Sequence, residues 1–360
     1  MAALRLITTA GIFPPELTAL RAAGLIAAVG LIAYALARRH SLRNVDVVIL
    51  LGAGLGLALV AGTEITDALL SAFSFEKGNG GRILGLAVFA IFILFILILR
   101  ALSQSARNAR QLSAALEGLA WEEFRQAGLP ERFRGRVAVV IPAYNEAENI
   151  GHVLDRIPDE VCGVPIQTLV VDDGSRDGTG DVAAEHGSPV ARHVTNRGGG
   201  AALRTGYRLM VESGAEIVVT LDADGQHLPS EMGRLVQPIL DGEVDMAHGS
   251  RVLGHADDNH FARELGIVFF NRLVSLITRT HVTDCSNGYR AVRASVLPQL
   301  VLRQEQFHTS EFMIEAIKRG IPAKEVPITV EQRLHGHSKK PAVLRYGVGF
   351  ANAIFRTWLR

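Results

Sequence analysis

Cysteine is nearly absent. Cys162 and Cys285 are the only two in 360 residues, and they are far apart, without metal-ligand spacing. Neither a disulfide framework nor a thiolate metal site can be built from them, and two scattered thiols suit a reducing compartment. Net charge is just as scarce. The 37 Lys and Arg residues against 36 Asp and Glu leave no basic excess with which to recruit nucleic acid. The glycine triplet in Gly198-Gly-Gly-Ala201 fits neither the Rossmann nor the P-loop spacing, and reads instead as room for a helix start to pack closely. Apolar residues, by contrast, are abundant at 48% of the chain, which turns attention to the membrane first.

Three apolar runs precede residue 101: 22–37, 47–62 and 83–99. Each falls slightly short of the roughly 20 residues of a spanning helix, a difference that snorkelling arginines such as Arg21, Arg38, Arg82 and Arg100 can make up. The first run lacks the basic start of a signal peptide, and Arg38-Arg39 stands where a cleavage site belongs. The second also fits a buried soluble hairpin, since Glu64 and Asp67 follow it. Basic residues at Arg38, Arg39 and Arg43 and again at Arg100, Arg107 and Arg110 put the first loop and everything after Arg100 in the cytoplasm. The expectation is an all-α transmembrane domain over 1–100 and an integral protein of the plasma membrane. Gly52, Gly54, Gly56 and Ala58 either let helices approach, within one chain or in a homo-oligomer, or are the small residues common in membrane helices. A connector helix is expected over 101–135, with Leu112, Leu116 and Leu119 forming one stripe.

From residue 136 the pattern becomes alternating strand and helix. Val137–Ile141, Thr168–Val171, Val190–Val194 and Glu216–Leu221 read as buried strands, and helical patterns begin at Glu146 and Gly199. This predicts an α/β domain with a mainly parallel sheet over 136–340. Three strands end in polar groups: Pro142-Ala-Tyr-Asn-Glu146, Asp172-Asp-Gly-Ser175 and Asp222-Ala-Asp-Gly-Gln226. In a parallel sheet those ends share one edge, where ligands bind. A single acidic strand end is a turn, whereas three on one edge make a site.

These residues carry a family resemblance. Val140-Ile-Pro-Ala-Tyr-Asn-Glu146, Val171-Asp-Asp-Gly-Ser-Arg-Asp-Gly-Thr179 and Leu221-Asp-Ala-Asp-Gly-Gln-His-Leu-Pro229 resemble the family-2-type inverting glycosyltransferases, in particular the polyprenyl-phosphate mannose or glucose synthase branch. Asp284-Cys-Ser-Asn-Gly-Tyr-Arg290, Glu325-Val-Pro-Ile328 and Gly336-His-Ser-Lys339 continue the match in order. The resemblance implies a GT-A-like fold, a nucleotide-sugar donor, a polyprenyl phosphate acceptor, and Mg²⁺ or Mn²⁺. It implies that Asp222, Asp224 and Gln226 hold the metal, and that Pro142, Ala143, Tyr144, Glu146, Asp172, Asp173 and Ala223 line the donor pocket. A second reading of Asp172-Asp173 is a turn with a helix cap. The chemistry agrees: a leaving diphosphate gathers charge that a hard cation on one or two carboxylates neutralises.

An anionic acceptor calls for cations. Arg251 is the first candidate and Arg263 the second, with Arg290 and Lys339 completing the set. Asp284, beside Arg290 in the family pattern, is the general base in relatives that use hydroxyl acceptors; a phosphate acceptor needs no strong base, and Asp284 then orients its neighbours. Leu265 to Leu276 reads either as an interfacial helix or as a core helix, and Glu311 and Glu315 as a family acid or as structural pairing. An amphipathic interfacial helix is expected over 341–360. Two competing functions remain: transfer to another lipid or saccharide hydroxyl, and a silent nucleotide-sugar-binding membrane scaffold. Processive polysaccharide synthesis is disfavoured by the absence of a Gln-x-x-Arg-Trp motif.

Overall fold

The strand Val137-Ala-Val-Val-Ile-Pro-Ala143 sets the organisation of the larger part of the chain. Its side chains alternate between two faces, Ala138 and Val140 into one apolar cluster, Val139 and Ile141 into the other. A strand buried on both sides reads as a continuous apolar run, because helices cover both faces of its sheet. In the computed structural model, residues 19–37, 50–58, 79–257, 261–333 and 343–360 are described. The chain divides into two units, Met1–Gln111 and Leu112–Arg360.

In the first unit, α1 (Ala19–Ala37) contains the first apolar run, and residues 50–58 are helical. The rest of the 47–62 run lies outside the described residues. Gly54 packs against α1: a Cβ there would lie 2.6 Å from Ile32 Cγ1 and 3.1 Å from the Ala28 carbonyl oxygen. At this glycine, the small-residue pattern serves packing within the chain. The third run and the expected connector form one helix, α2 (Asn79–Gln126), whose leucines carry on the helical period without a break. Among the described residues, no helix is long and apolar enough to cross a membrane. Ile91, Leu94, Phe95 and Ile98 are nonetheless largely exposed, Ile91 by 65%.

The second unit follows the order β1 (Val137–Ala143), α3 (Ala147–Asp155), β2 (Glu160–Val161), β3 (Val164–Asp172), α4 (Thr179–Glu185), β4 (Val190–Arg192), α5 (Gly199–Glu212), β5 (Ile217–Thr220), α6 (Met232–Leu240), β6 (Met246–Ala256), α7 (Phe261–Thr278), β7 (Arg290–Arg293), α8 (His308–Lys318), β8 (Ala323–Val330) and α9 (Val343–Trp358). The sheet runs β2-β3-β1-β5-β7-β6-β8, with β4 paired to β3. The expectation of a mainly parallel sheet needs correction, because the sheet is mixed. Strand β7 lies between β5 and β6 and runs antiparallel to both. It follows α7 and the 279–289 loop, and that loop brings the chain back onto the sheet in the reverse direction, so a helix between β6 and β7 does not here produce a parallel pair.

One face is packed by α5, α7, α8 and α9, the other by α3 and α6. Helix α7 buries Asn271 and Val274 but exposes Val268, Phe269 and Leu276; α9 buries Phe350, Ala353 and Ile354 but exposes Val348, Phe355 and Trp358. Both helices therefore belong to the core on one side and present apolar residues on the other. Glu311 and Glu315 are structural. Glu311 accepts the backbone N–H groups of Arg303 and Gln304 at 2.8–2.9 Å and pairs with Arg360, while Glu315 pairs with Arg319 at 3.4 Å.

The segment held by Glu311 rests on the glycine cluster. The Gly200 N–H donates to the Glu305 carbonyl at 2.8 Å, and a Cβ on Gly200 would fall 1.9 Å from the Gln304 carbonyl oxygen. The cluster thus serves close packing, as its spacing suggested. Backbone, unlike a flexible side-chain tip, cannot yield, so Gly200→Ala is expected to destabilise by about 2 kcal/mol. For a unit of this size that lowers Tm by about 4–8 °C, checked by thermal melting against the Gly199→Ala control. A Cβ at Gly199 meets its nearest neighbour, His308, at 3.4 Å.

Candidate active site

The mixed sheet still gathers the motifs on one edge. Ala143 pairs with Asp172, Val140 pairs with Thr220, and the Leu221 N–H donates to the Val140 carbonyl, so β1, β3 and β5 end together. Because β7 is reversed, β6 and β8 run in the same direction as β5, and the amino end of β7 joins the same edge. The turn Asp222–Gln226, Arg251 on β6, the Asp284–Arg290 segment and Glu331–Arg333 after β8 therefore converge there.

The ends of β1 and β3 are stitched to each other. The Asp173 N–H donates to the Ala143 carbonyl at 2.8 Å, the Asn145 N–H to Ser175 Oγ at 2.9 Å, and the Glu146 N–H to Thr179 Oγ1 at 2.9 Å. Pro142 and Tyr144 are half-buried along this rim, and Ala143 and Ala223 are buried. The two aspartates differ. Asp173 accepts the N–H groups of Arg197 and Gly198 at 2.7–3.0 Å and sits 2.6 Å from His193 Nδ1, so both of its oxygens are engaged. It organises the 196–198 loop. Asp172 accepts only the Ser175 N–H at 2.9 Å, among the described residues, and lies beside Gly180, where a Cβ would stand 2.6 Å from its Oδ2.

In the Asp-x-Asp turn, Asp222 is the exposed acid, with 41% of its side chain accessible. It accepts no hydrogen bond from the described residues, its nearest ionisable neighbour being His227 Nδ1 at 3.8 Å. Gly288 explains how it fits: a Cβ there would lie 2.8 Å and 2.9 Å from the Asp222 oxygens, so this glycine links two of the sequence motifs. Asp224 is held by Arg333, which reaches its Oδ2 at 3.0 Å and Glu146 Oε1 at 3.0 Å. Gln226 donates its amide NH₂ to the Glu331 carbonyl at 3.0 Å, which leaves the amide oxygen as its free acceptor among the described residues.

Two carboxylates and an amide oxygen on one turn fit a hard divalent cation. Among the described residues, no group of three or more His, Cys, Asp and Glu side chains encloses a metal. An open donor set of this kind suits an ion whose shell is completed by phosphate oxygens.

On the other side of the turn, Arg251 Nε donates to Asp284 Oδ2 at 2.7 Å and its Nη2 to Ser286 Oγ at 3.3 Å. Asp284 is completely buried. Burial pushes its pKa up, but the charge and hydrogen bonds of Arg251 outweigh burial and hold the carboxyl below its usual range. Glu325 fixes the loop by accepting the N–H groups of Thr283 and Asp284 at 2.8–2.9 Å. Arg290, expected among the acceptor cations, lies instead in the interior. It is fully buried, directs its nitrogens to the carbonyls of Gly288, Thr309 and Asn287, and sits 4.6 Å over the Phe312 ring. The Arg263 side chain and all of Lys339 lie outside the described part of the structure. Arg333 escaped the sequence reading; the only signal was its place three residues before Gly336, beyond a strand end that faces acids.

The model of the family described as "Glycosyl transferase family 2" matches residues 138–301. The polyprenol monophosphomannose synthase of Mycolicibacterium smegmatis is 37% identical over 216 residues, covering 57% of this chain and 80% of the relative. The chain belongs to glycosyl transferase family 2. Within the family it falls in the polyprenyl-phosphate sugar synthase branch, and it is a glycosyltransferase. A UDP-N-acetylglucosamine–dolichyl-phosphate N-acetylglucosaminyltransferase of Methanococcus voltae is 31% identical over 214 residues, covering 53% of this chain and 84% of the relative. In fold, the family 2 chain is similar to the glucosyl-3-phosphoglycerate synthase of Mycobacterium tuberculosis, with a TM-score of 0.50 at 23% identity over 64% of this chain and 82% of that one. The GT-A-like α/β architecture is thereby established for the transferase unit.

One buried group carries a pH prediction. His248 is fully buried on β6, its Nε2 donating to the Asp284 carbonyl at 2.7 Å. Burial, with Arg290 adding to it, lowers its pKa to about 3. The unfolded chain takes up this proton near pH 6.5 while the folded chain refuses it until about pH 3, so folding loses stability as pH falls through that window. The loss approaches about 1.4 kcal/mol per pH unit. His248→Gln is expected to flatten the dependence of Tm on pH between 6.5 and 4.5, measured by thermal melting.

Proposed function

We propose that this enzyme transfers a sugar, with inversion, from a nucleotide diphosphate donor to a polyprenyl phosphate at the cytoplasmic face of a membrane. The observation that carries the choice of acceptor is Asp284. Buried, ionised and hydrogen-bonded by Arg251 and Ser286, it is poorly placed to take a proton from a hydroxyl acceptor. A phosphate oxygen is already an anion, so it needs orientation and charge rather than a base. Arg251, fixed at Nε by Asp284 and without a partner at Nη1 among the described residues, supplies both. The relatives named for mannosyl transfer to polyprenol and for N-acetylglucosaminyl transfer to dolichyl phosphate support a polyprenyl phosphate acceptor while differing in sugar.

Asp222, Asp224 and Gln226 would hold Mg²⁺ or Mn²⁺, which when bound neutralises the charge growing on the leaving diphosphate. Asp172, with Pro142, Ala143, Tyr144 and Ala223 around it, takes the nucleoside. Arg251 aims the acceptor oxygen, with Arg263 and Lys339 as further contacts for phosphate. Membrane attachment is supported by the uncharged run 83–99, by exposed Ile91, Leu94, Phe95 and Ile98, and by the outer faces of α7 and α9. We assign residues 1–100 to anchoring, 101–135 to a connector, 136–340 to transfer and 341–360 to an interfacial helix.

Purified full-length protein given a divalent metal and a panel of nucleotide sugars is expected to glycosylate polyprenyl phosphate and not the matching polyprenol. A product on the polyprenol instead would move the reading to hydroxyl transfer. Asp222→Ala is expected to lower kcat by about 100-fold or more, the loss of a few kcal/mol of charge stabilisation. Arg251→Lys keeps the charge but loses the fork, and is expected to raise KM for polyprenyl phosphate about tenfold while leaving donor binding intact. Both are read by initial rates of nucleoside diphosphate release. A further expectation is that the full chain floats with vesicles on a density gradient, and that Leu94→Lys with Ile98→Lys shifts it toward the soluble fraction.

A further inference from the structure

His227 follows the metal-binding turn directly and is held from several sides. Its backbone bridges to Val330, its ring stacks on Tyr289 at 5.1 Å, and the Tyr289 hydroxyl in turn donates to the Leu228 carbonyl at 3.1 Å. Only 5% of the residue is accessible. Its Nδ1 is buried and has no hydrogen-bond partner among the described residues. The nearest acceptor of consequence is Asp222 Oδ2 at 3.8 Å, too far for a hydrogen bond, on a carboxylate that itself accepts none. A buried unpaired nitrogen is costly, and a buried polar group is retained in that state where a function completes it.

We propose that His227 is a positioning residue for the metal. Its Nδ1–H donates to Asp222 when that carboxylate turns to ligate the cation. A small rotation of the Asp222 side chain closes the gap, because the imidazole is locked by Tyr289 and the Val330 bridge while the acid is half-exposed. The bond fixes which Asp222 oxygen faces the ion, as hydrogen bonds to ligating carboxylates do elsewhere. Gly288 leaves the room this rotation needs, since a Cβ there would stand 2.8 Å and 2.9 Å from the carboxylate oxygens. This inference rests on the assignment of Asp222 as a metal ligand.

The test is titration of the full-length protein with Mn²⁺ alone, without donor or acceptor, by electron paramagnetic resonance of the free ion. His227→Phe keeps the ring against Tyr289 but has no N–H, and is expected to weaken Mn²⁺ binding about 10- to 100-fold with Tm unchanged. His227→Asn places an N–H near the position of Nδ1 and is expected to restore affinity to within about threefold of the native protein. A well-folded Phe variant that binds Mn²⁺ as the native chain does would overturn the proposal. So would a Phe variant as defective as Asp222→Ala, which would make His227 a ligand, or an Asn variant no better than Phe. Should Asp222→Ala itself leave Mn²⁺ affinity unchanged, the metal assignment falls and this inference with it, whereas loss in Asp222→Ala alone sinks only the role of His227.

Discussion

Like charge crowded onto one sheet edge is the constraint to which the rest of the structure answers. Glu146, Asp172, Asp173, Asp222, Asp224 and Asp284 all lie at strand ends or in loops on that edge. Carboxylates this close repel, and burying them unpaired is costly. Each is compensated differently. Asp173 takes two backbone amides and His193, Asp172 takes one amide, Asp284 takes Arg251, and Arg333 spans Asp224 and Glu146. Among the described residues, Asp222 alone has only a distant histidine. A divalent cation at this turn would complete the pattern, and Asp222 differs from the acids beside it in leaving its carboxylate uncompensated by the described residues.

Compensation also separates the roles of residues that look alike in sequence. Asp173 and Asp172 are adjacent, yet the first is consumed in holding the 196–198 loop, while the second keeps capacity for a ligand. Arg251 and Arg290 both belong to family motifs. Arg251 is oriented by a carboxylate at the crevice, whereas Arg290 spends its nitrogens on backbone carbonyls and its face on Phe312. Removing Arg290 would therefore disturb folding, while removing Arg251 would disturb transfer, a distinction that motif membership alone does not make.

The legible parts of the sequence were those in which periodicity and chemistry coincide. Strands β1, β3 and β5 are apolar runs that stop at acids, so both their burial and their exit edge could be read from residue order. Strand β7 could not, because Arg290-Ala-Val-Arg293 is short and bracketed by charge, and its strand character comes from neighbours on both sides. Arg333 was invisible for a related reason: a lone arginine after a strand looks like a solvated turn until the fold brings Glu146, distant in sequence, to meet it. The long helix α2 merged a run read as membrane with one read as connector, since composition changes near Arg100 while helical propensity does not.

The reversed strand has a functional consequence. Had β7 been parallel, its carboxyl end would face the crevice, and the Asp284–Gly288 segment would lie at the opposite edge, far from Asp222. Antiparallel entry puts that segment beside the Asp-x-Asp turn, so that Gly288 can admit the Asp222 carboxylate at less than 3 Å from where a Cβ would stand. The same entry fixes Asp284 opposite Arg251 on the neighbouring strand β6. The acid that would hold a metal and the arginine that would hold an acceptor phosphate are thus both positioned by one loop. Substitutions within 284–288 should consequently couple the donor and acceptor sides of the reaction, where changes on β1 or β3 reach the donor side alone.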